Sequence, residues 1–454
     1  MLSKNKKFFA LLLVALFAIS QFVLASAYTD VADTSWYAPA VNRWGSLLTS
    51  NDEIMPAQNA TRAEFAHVLN GVMKFPLVDS TFSDVPSTHP YAADIGALQA
   101  AGIVLGREDG FDPDTAITRA EISVMYARAF ALTPSGAPTF ADADTIPDYA
   151  APYVNALQVG KYVNGYEDNT FRPSRNITRA EMFQIIDNAA RNFVENSDEV
   201  TEVITGNMMI IAPEAYIKNI SVIGDVIIAP GVGASNVTFE SVIVTGTVYI
   251  RGGSASSVKF LGACSIGRVV ADSAIEDELM IDIDPDSTVS ALVVTGGTKL
   301  LLDGAVGVLT VDASTDVEIV SGTVGSLNVN AAETSIIIDK DAEVENIYSS
   351  ANAVGVVFTI SGKVSGETIV ASPAAEIDVA ADALVEDLNV TGSAAGAIVN
   401  NQGTISKLVV KSVTAEINNT GTIASSAAPE GTTVTGTQPE SSETTDAGSP
   451  NDVY

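Results

Sequence analysis

The chain has 454 residues, a formal charge of −32 and 47% hydrophobic residues. That apolar content is enough for real cores, so the acidity does not signal global disorder, and the length allows roughly two to four domains. Acid in such excess argues against nucleic acid as a partner, since phosphate binding needs clustered Lys and Arg; it suits a soluble protein in a salty or cation-rich exterior.

Residues 1–27 read as a secretory signal peptide. MLSKNKK is basic, FFALLLVALFAISQFVL is apolar, and Ala25-Ser26-Ala27 is a small-residue cleavage site. A retained membrane anchor is the other reading, and the cleavage site opposes it. No other run is long and apolar enough to span a bilayer as a helix. The mature protein is therefore expected to be exported and soluble from about Tyr28, with no membrane contact after cleavage. The single cysteine, Cys264, has no intramolecular disulfide partner and is expected to be a buried small hydrophobe.

Three repeats follow, over 28–78, 79–137 and 138–195. Thr61-Arg62-Ala63-Glu64 aligns with Thr118-Arg119-Ala120-Glu121 and Thr178-Arg179-Ala180-Glu181, at spacings of 57 and 60 residues. Asp30, Asp84 and Asp142 match upstream, each followed seven residues later by Tyr37, Tyr91 or Tyr149. Such a period signals stacked supersecondary units sharing a core. Each unit reads helix, loop, helix, with a glycine loop running in the second copy from Gly102 to Gly110. Thr-Arg-Ala-Glu opens the second helix as a capping box, which gives its Thr and Glu a structural purpose. The arginine has none there, because a cation at a helix N-terminus is mildly unfavourable. Arg62, Arg119 and Arg179 therefore read either as forks for a carboxylate or phosphate or as salt bridges to a neighbouring unit.

The third copy combines Phe140-Ala141-Asp142, Tyr149-Ala150, the loop Gly165-Tyr166-Glu167-Asp168-Asn169-Thr170-Phe171-Arg172-Pro173, and Ile177 to Glu181. The second has Phe82-Ser83-Asp84-Val85, Tyr91-Ala92, Gly106 to Pro113, and Ile117 to Glu121. With these motifs, the segment from about Tyr28 to Arg191 resembles three tandem S-layer homology (SLH) domains. The resemblance implies an all-α, pseudo-threefold helical bundle that holds the protein non-covalently on a secondary cell-wall polysaccharide, often a pyruvylated one. It implies sugar-binding grooves between repeats, with Arg62, Arg119 and Arg179 on acidic groups of the sugar. The repeated Asp30, Asp84 and Asp142, the loop glycines Gly106 and Gly165, and the aromatics Trp36, Tyr37, Tyr91 and Tyr149 complete the candidate site. The first copy departs from the pattern: Ser50-Asn51-Asp52-Glu53-Ile54-Met55-Pro56 stands where the glycine loop belongs, so one groove is expected to be remodelled. His67 and His89 fall within the repeats and read as surface or packing residues.

From about Thr201 the texture changes to short β-branched runs separated by Gly, Ser, Asn, Asp and Ala. Two series recur at 18 to 22 residues: Val311, Val329, Ile347, Ile369, Val390, Val410, and Ile319, Ile337, Phe358, Ile377, Ile398, Ile417. That period predicts an all-β parallel solenoid over 200–423 with about two strands per turn and about ten coils, a rod on the order of 50 Å. A β-sandwich array is the alternative, disfavoured because the region is poor in aromatics. Parallel β-helices include polysaccharide lyases and hydrolases. The notable acid cluster is Asp282, Asp284 and Asp286, which could supply paired carboxylates or a weak calcium loop, and whose plainer reading is a solvated turn. No metal or cofactor is otherwise implied. Residues 424–454, rich in Ser, Thr, Gly, Pro and acids, are expected to be a disordered tail.

The expectation is a multidomain, non-catalytic surface protein of the cell wall or S-layer, with a structural or adhesive solenoid. A wall-anchored carbohydrate-active enzyme and a self-assembling lattice subunit are the alternatives.

Overall fold

Thr61, Thr118 and Thr178 hold extended backbone, and each starts a helix. Each threonine oxygen accepts the amide of the glutamate three residues on, whose carboxylate accepts the threonine amide. The computed structural model describes residues 26–444 except 109, 197–202, 254–257, 274–277, 297–298 and 431. The expected signal peptide up to residue 25 and the end of the expected tail, 445–454, lie outside the described residues.

Six helices make up the N-terminal half of the described chain: α1 Ala38–Trp44, α2 Arg62–Met73, α3 Ala92–Ala100, α4 Arg119–Ala129, α5 Ala151–Val159 and α6 Arg179–Ala190. Pairing crosses the repeat boundaries. Helix α2 packs on α3, α4 on α5, and α6 returns to α1. Buried Asp187 of α6 fastens that closure, accepting from Trp44 Nε1 at 3.2 Å and from Arg43. At the centre, the Ala60 amide donates to Ile177 O, Ile177 to Ile117 O, and Ile117 to Ala60 O, at 2.9–3.1 Å. This three-membered ring of fully buried residues marks a pseudo-threefold axis.

The first helical amides are satisfied by the next repeat. Arg62 and Ala63 donate to Thr115 O and Pro113 O, Arg119 and Ala120 to Arg175 O and Pro173 O, and Arg179 and Ala180 to Gln58 O and Pro56 O. The orphan donors of each N-terminus are thus consumed in holding the ring together.

From Asn192 to Thr444 the chain winds through about twelve turns of parallel β-solenoid. Its pairs are parallel throughout, and one continuous aliphatic core fills it. Most of the coil has two strands per turn, as the sequence suggests; its first turns divide into three, and longer strands bend around a corner. Ile243–Ile250, for example, pairs with both Ser221–Ile223 and Val226–Ile228. One buried row runs Val306, Val324, Val344, Val364, Val385, Ile405, Ile423. Another runs Val317, Ile336, Phe358, Ile377, Val399, Ile417.

Those rows correct the two sequence series. Ile337 and Ile398 sit one residue out of register and are only half-buried; Ile369 is likewise displaced, with Val370 in the row of Val390 and Val410. A slip of one residue in a strand moves a side chain to the opposite face. The boundaries move too. The first strand, Asn192–Val194, lies within the span of the third repeat, and strands at Thr422–Ala428, Thr433–Gly436 and Ser441–Thr444 carry the coil into the segment expected to be tail. The last two of these are polar and largely exposed, held by backbone pairing to the preceding coil, which composition does not report. Cys264 is buried, as expected.

The solenoid is docked on the bundle. Met209, Ile227 and Ala229 belong to the helical core, and Phe193 meets Trp44 edge-on at 5.0 Å between ring centroids. The Tyr162 hydroxyl donates to Asp225 of the solenoid. Arg251, 3% exposed, donates to Ala129 O at 3.1 Å and pairs with Asp272 at 2.6 Å.

Candidate functional site

Equivalent clefts open where one repeat's arginine faces the next repeat's loop. The first, about 360 Å³, has Arg62 on its floor, the stretch Ile103–Arg107 and Glu121 as walls, and Tyr149 of the third repeat on its rim. The second, about 250 Å³, repeats the plan with Arg119, the stretch Tyr162–Tyr166, Glu181, and Trp36 of the first repeat. Tyr149 is 57% exposed and Trp36 62%, so both present ring faces to solvent.

The arginines are held from beneath. Arg62 Nε donates to Phe111 O and Arg119 Nε to Phe171 O, both at 2.7 Å. The guanidinium of Arg62 lies 4.7 Å over the Phe111 ring, and that of Arg119 lies 4.8 Å from both Tyr166 and Phe171. Burial lowers the pKa of both arginines from the ordinary value. A buried cation is costly unless paired, and an anion arriving in the cleft would offset that cost. Of the two alternatives read from the sequence, the salt bridge to a neighbouring unit is seen at Arg62. Arg62 Nη1 also lies 3.2 Å from Glu121, whereas Arg119 relies on backbone carbonyls and ring faces.

The capping glutamates serve twice. Glu121 Oε2 accepts the Thr118 amide, while Oε1 faces the cleft and pairs with Arg107. Glu181 does the same with Arg175 at 2.5 Å. Burial pushes the Glu121 and Glu181 carboxyls up, but these arginines and the cap bonds outweigh it and hold both below their ordinary value. Arg172 stacks 4.1 Å over Tyr166, which also faces Arg119 and Arg175. Nine of the eleven arginines of this acidic chain lie between residues 43 and 191. Arg107, Tyr166 and Arg172 stand in the glycine loops and Arg175 just beyond one, yet none was singled out as a site residue; Arg128, at the end of α4, carried no signal in the sequence.

The repeated aspartates do not line these clefts. Each clamps two loop amides: Asp30 takes Ile54 and Met55, Asp84 takes Phe111 and Asp112, Asp142 takes Phe171 and Arg172, at 2.6–3.1 Å. The second residue of each pair has left-handed backbone, φ 53°, 56° and 58°, a conformation costly for a side-chain-bearing residue. The carboxylate holds that turn in place. Gly106 and Gly165 are there for close approach. A Cβ on Gly106 would stand 2.6 Å from the Phe82 ring, and one on Gly165 2.9 Å from the Phe140 ring.

The third position is filled. Arg179 is bound to Glu64 and donates to Ile54 O at 3.0 Å. His67, which takes the place held by Val124 and Gln184 in the other two clefts, stacks on Tyr91 at 4.3 Å and pairs with Asp94 at 2.7 Å. Tyr37 packs edge-on against Trp36 and lines neither open cleft. His89 faces Asp114 at 3.6 Å.

On the solenoid, Asp282 lies beside Lys259, and Asp284 accepts the Asp286 amide within its own turn. Among the described residues no three His, Cys, Asp or Glu side chains are placed to share a cation. Two shallow clefts on the coil carry one acid each, Asp378 in one and Glu345 in the other.

The S-layer homology domain model matches residues 81–122 and 139–183, so the chain carries SLH domains, ahead of the parallel solenoid. The first repeat shares the capping box, the aspartate clamp and the central hydrogen-bond ring without falling in those matched spans. The chain is 37% identical over 140 residues to an amylopullulanase of Thermoanaerobacterium thermosulfurigenes, covering 29% of this chain and 8% of that protein. It is 32% identical over 142 residues to a cellulosome-anchoring protein of Acetivibrio thermocellus (29% of this chain, 32% of that one), and 26% identical over 193 residues to an S-layer protein of Bacillus thuringiensis subsp. finitimus (38% and 23%). The chain spans less than a third of each. The relatives named as enzymes match it only in the SLH region. No helix among the described residues is long and apolar enough to cross a membrane.

Proposed function

We propose that this extracellular, cell-wall-associated protein is held by its helical bundle on a secondary cell-wall polysaccharide bearing acidic substituents, and that the solenoid is a non-catalytic structural or adhesive rod. The observation that carries the reading is the pair of clefts at Arg62 and Arg119. Each sets a buried guanidinium at the floor and an exposed aromatic ring at the rim, which suits an anionic group and a sugar face. The first repeat is a divergent third unit whose cleft is closed by His67 and by the Arg179–Glu64 pair. On the solenoid, the two clefts described each carry one acid, where glycoside hydrolysis uses two. Self-assembly into a lattice is the second reading, favoured by the similarity to an S-layer protein.

The test is co-sedimentation of the mature chain with sacculi that either keep their secondary polymer or have been stripped of it with hydrofluoric acid. Binding is expected only to the unstripped wall. Arg62→Lys with Arg119→Lys, and separately Tyr149→Ala with Trp36→Ala, should each weaken it by about tenfold or more. Undiminished binding to stripped sacculi would refute the reading.

A further inference from the structure

A third cleft, about 280 Å³, lies between the bundle and the solenoid. From the bundle it is lined by Arg128, Thr133 and Tyr153, and from the solenoid by Arg251, Asp272 and Thr295. It shares Arg128 with the first groove, and the two cavities lie along one continuous segment: Ala101 and Gly102 line this cleft, Ile103 to Arg107 the groove. Arg128 lies 5.3 Å over the Tyr153 ring, with Nε 3.3 Å from its hydroxyl. Thr295 Oγ1 is buried and has no hydrogen-bond partner among the described residues. The lining sets two guanidinium groups against one carboxylate, within a chain of charge −32. An orphan hydroxyl, an aromatic face and surplus cation are what a hydroxyl-rich, acid-bearing ligand would satisfy.

We propose that this interdomain cleft is a second subsite for the same acidic polysaccharide, so that a polymer seated in the Arg62 groove continues past Arg128 onto the solenoid. The inference rests on the polysaccharide reading of the grooves. It gives the solenoid a direct part in wall binding: the Thr295 hydroxyl faces the chain of sugars, while Arg251, buried and fixed by Ala129 and Asp272, backs the cleft.

The experiment measures the affinity of the full mature chain for polymer released from sacculi and fractionated into short and long fragments. Thr133→Trp, at an exposed loop position, and Thr295→Trp, from the solenoid side, each narrow the cleft without touching the Arg62 groove. Both are expected to weaken long-fragment binding by about tenfold and leave short-fragment binding unchanged. Two substitutions on opposite walls guard against one failing to fold, which melting curves would reveal. The inference is overturned if folded Trp variants keep wild-type affinity for long fragments, or lose short and long fragments equally. Tyr149→Ala separates the two claims: it should weaken short fragments too, and if it does not, the groove reading itself fails.

Discussion

Asp84 shows how a residue that repeats with a motif can serve the fold rather than the ligand. Burial pushes its carboxyl up, yet the amides of Phe111 and Asp112 outweigh that and hold it below the ordinary value. A carboxyl depressed in the folded state contributes stability above its unfolded pKa and loses it as pH falls through the folded one. The bundle should therefore lose stability on acidification below about pH 4, and Asp84→Ala, which frees two amides at a left-handed turn, should cost about 2–3 kcal/mol at neutral pH by chemical denaturation. His67 works in the opposite direction. Burial lowers its pKa, but Asp94 and the Leu47 carbonyl raise it further, to a net value above 6.5. Its contribution is complete below that ordinary value and is lost as pH rises through the raised one. Melting temperature followed across neutral pH should fall in the wild type, and His67→Gln should flatten that fall.

At the scale of elements, the capped helices were readable residue by residue, because a capping box is a local contest between side chain and backbone. The three Thr-x-x-Glu boxes are all formed. The solenoid was readable in its period and its inward aliphatics, such as Val317 and Ile319, but not in its rungs. Runs such as Ile336-Ile337-Ile338 are apolar at every position, so nothing local says which residue points inward. The register is set by the coil beneath, as Val317 beneath Ile336 shows. A pair of substitutions measures this: Leu327→Ala, in a fully buried row, should cost about 2–5 kcal/mol, whereas half-buried Ile337→Ala should cost clearly less. Equal losses would mean that the rows are assigned wrongly.

For the whole molecule, the junction between bundle and solenoid decides whether the wall anchor and the rod move together. Arg251 carries that junction with a buried bond to Ala129, the pair with Asp272 and a cation–π contact 5.8 Å from Phe75. Removing Arg251 deletes the buried bond to Ala129 and the partner of solvent-accessible Asp272, a loss of about 1–3 kcal/mol. Arg251→Ala should therefore make the segment between the modules cleavable under limited proteolysis, with the bundle and the coil surviving as separate fragments. An unchanged digestion pattern would show that the apolar contacts of Met209, Ile227 and Phe193 hold the junction alone.

By itself the sequence determined the three repeats, the helix starts, the parallel coil and the arginines that floor the clefts, because each follows from local spacing, capping chemistry or period. Tertiary structure alone decided the rest. Whether Asp30, Asp84 and Asp142 meet a ligand or a backbone depends on a loop folding back across about 25 residues. Which aromatics reach a rim depends on ring closure, which carries Trp36 of the first repeat to the Arg119 cleft. Whether a groove stays open depends on one side chain, His67 in place of Val124 or Gln184. The interdomain cleft joins residues such as Arg128 and Arg251, far apart in the chain, and contacts of that separation leave no periodic trace in a single sequence.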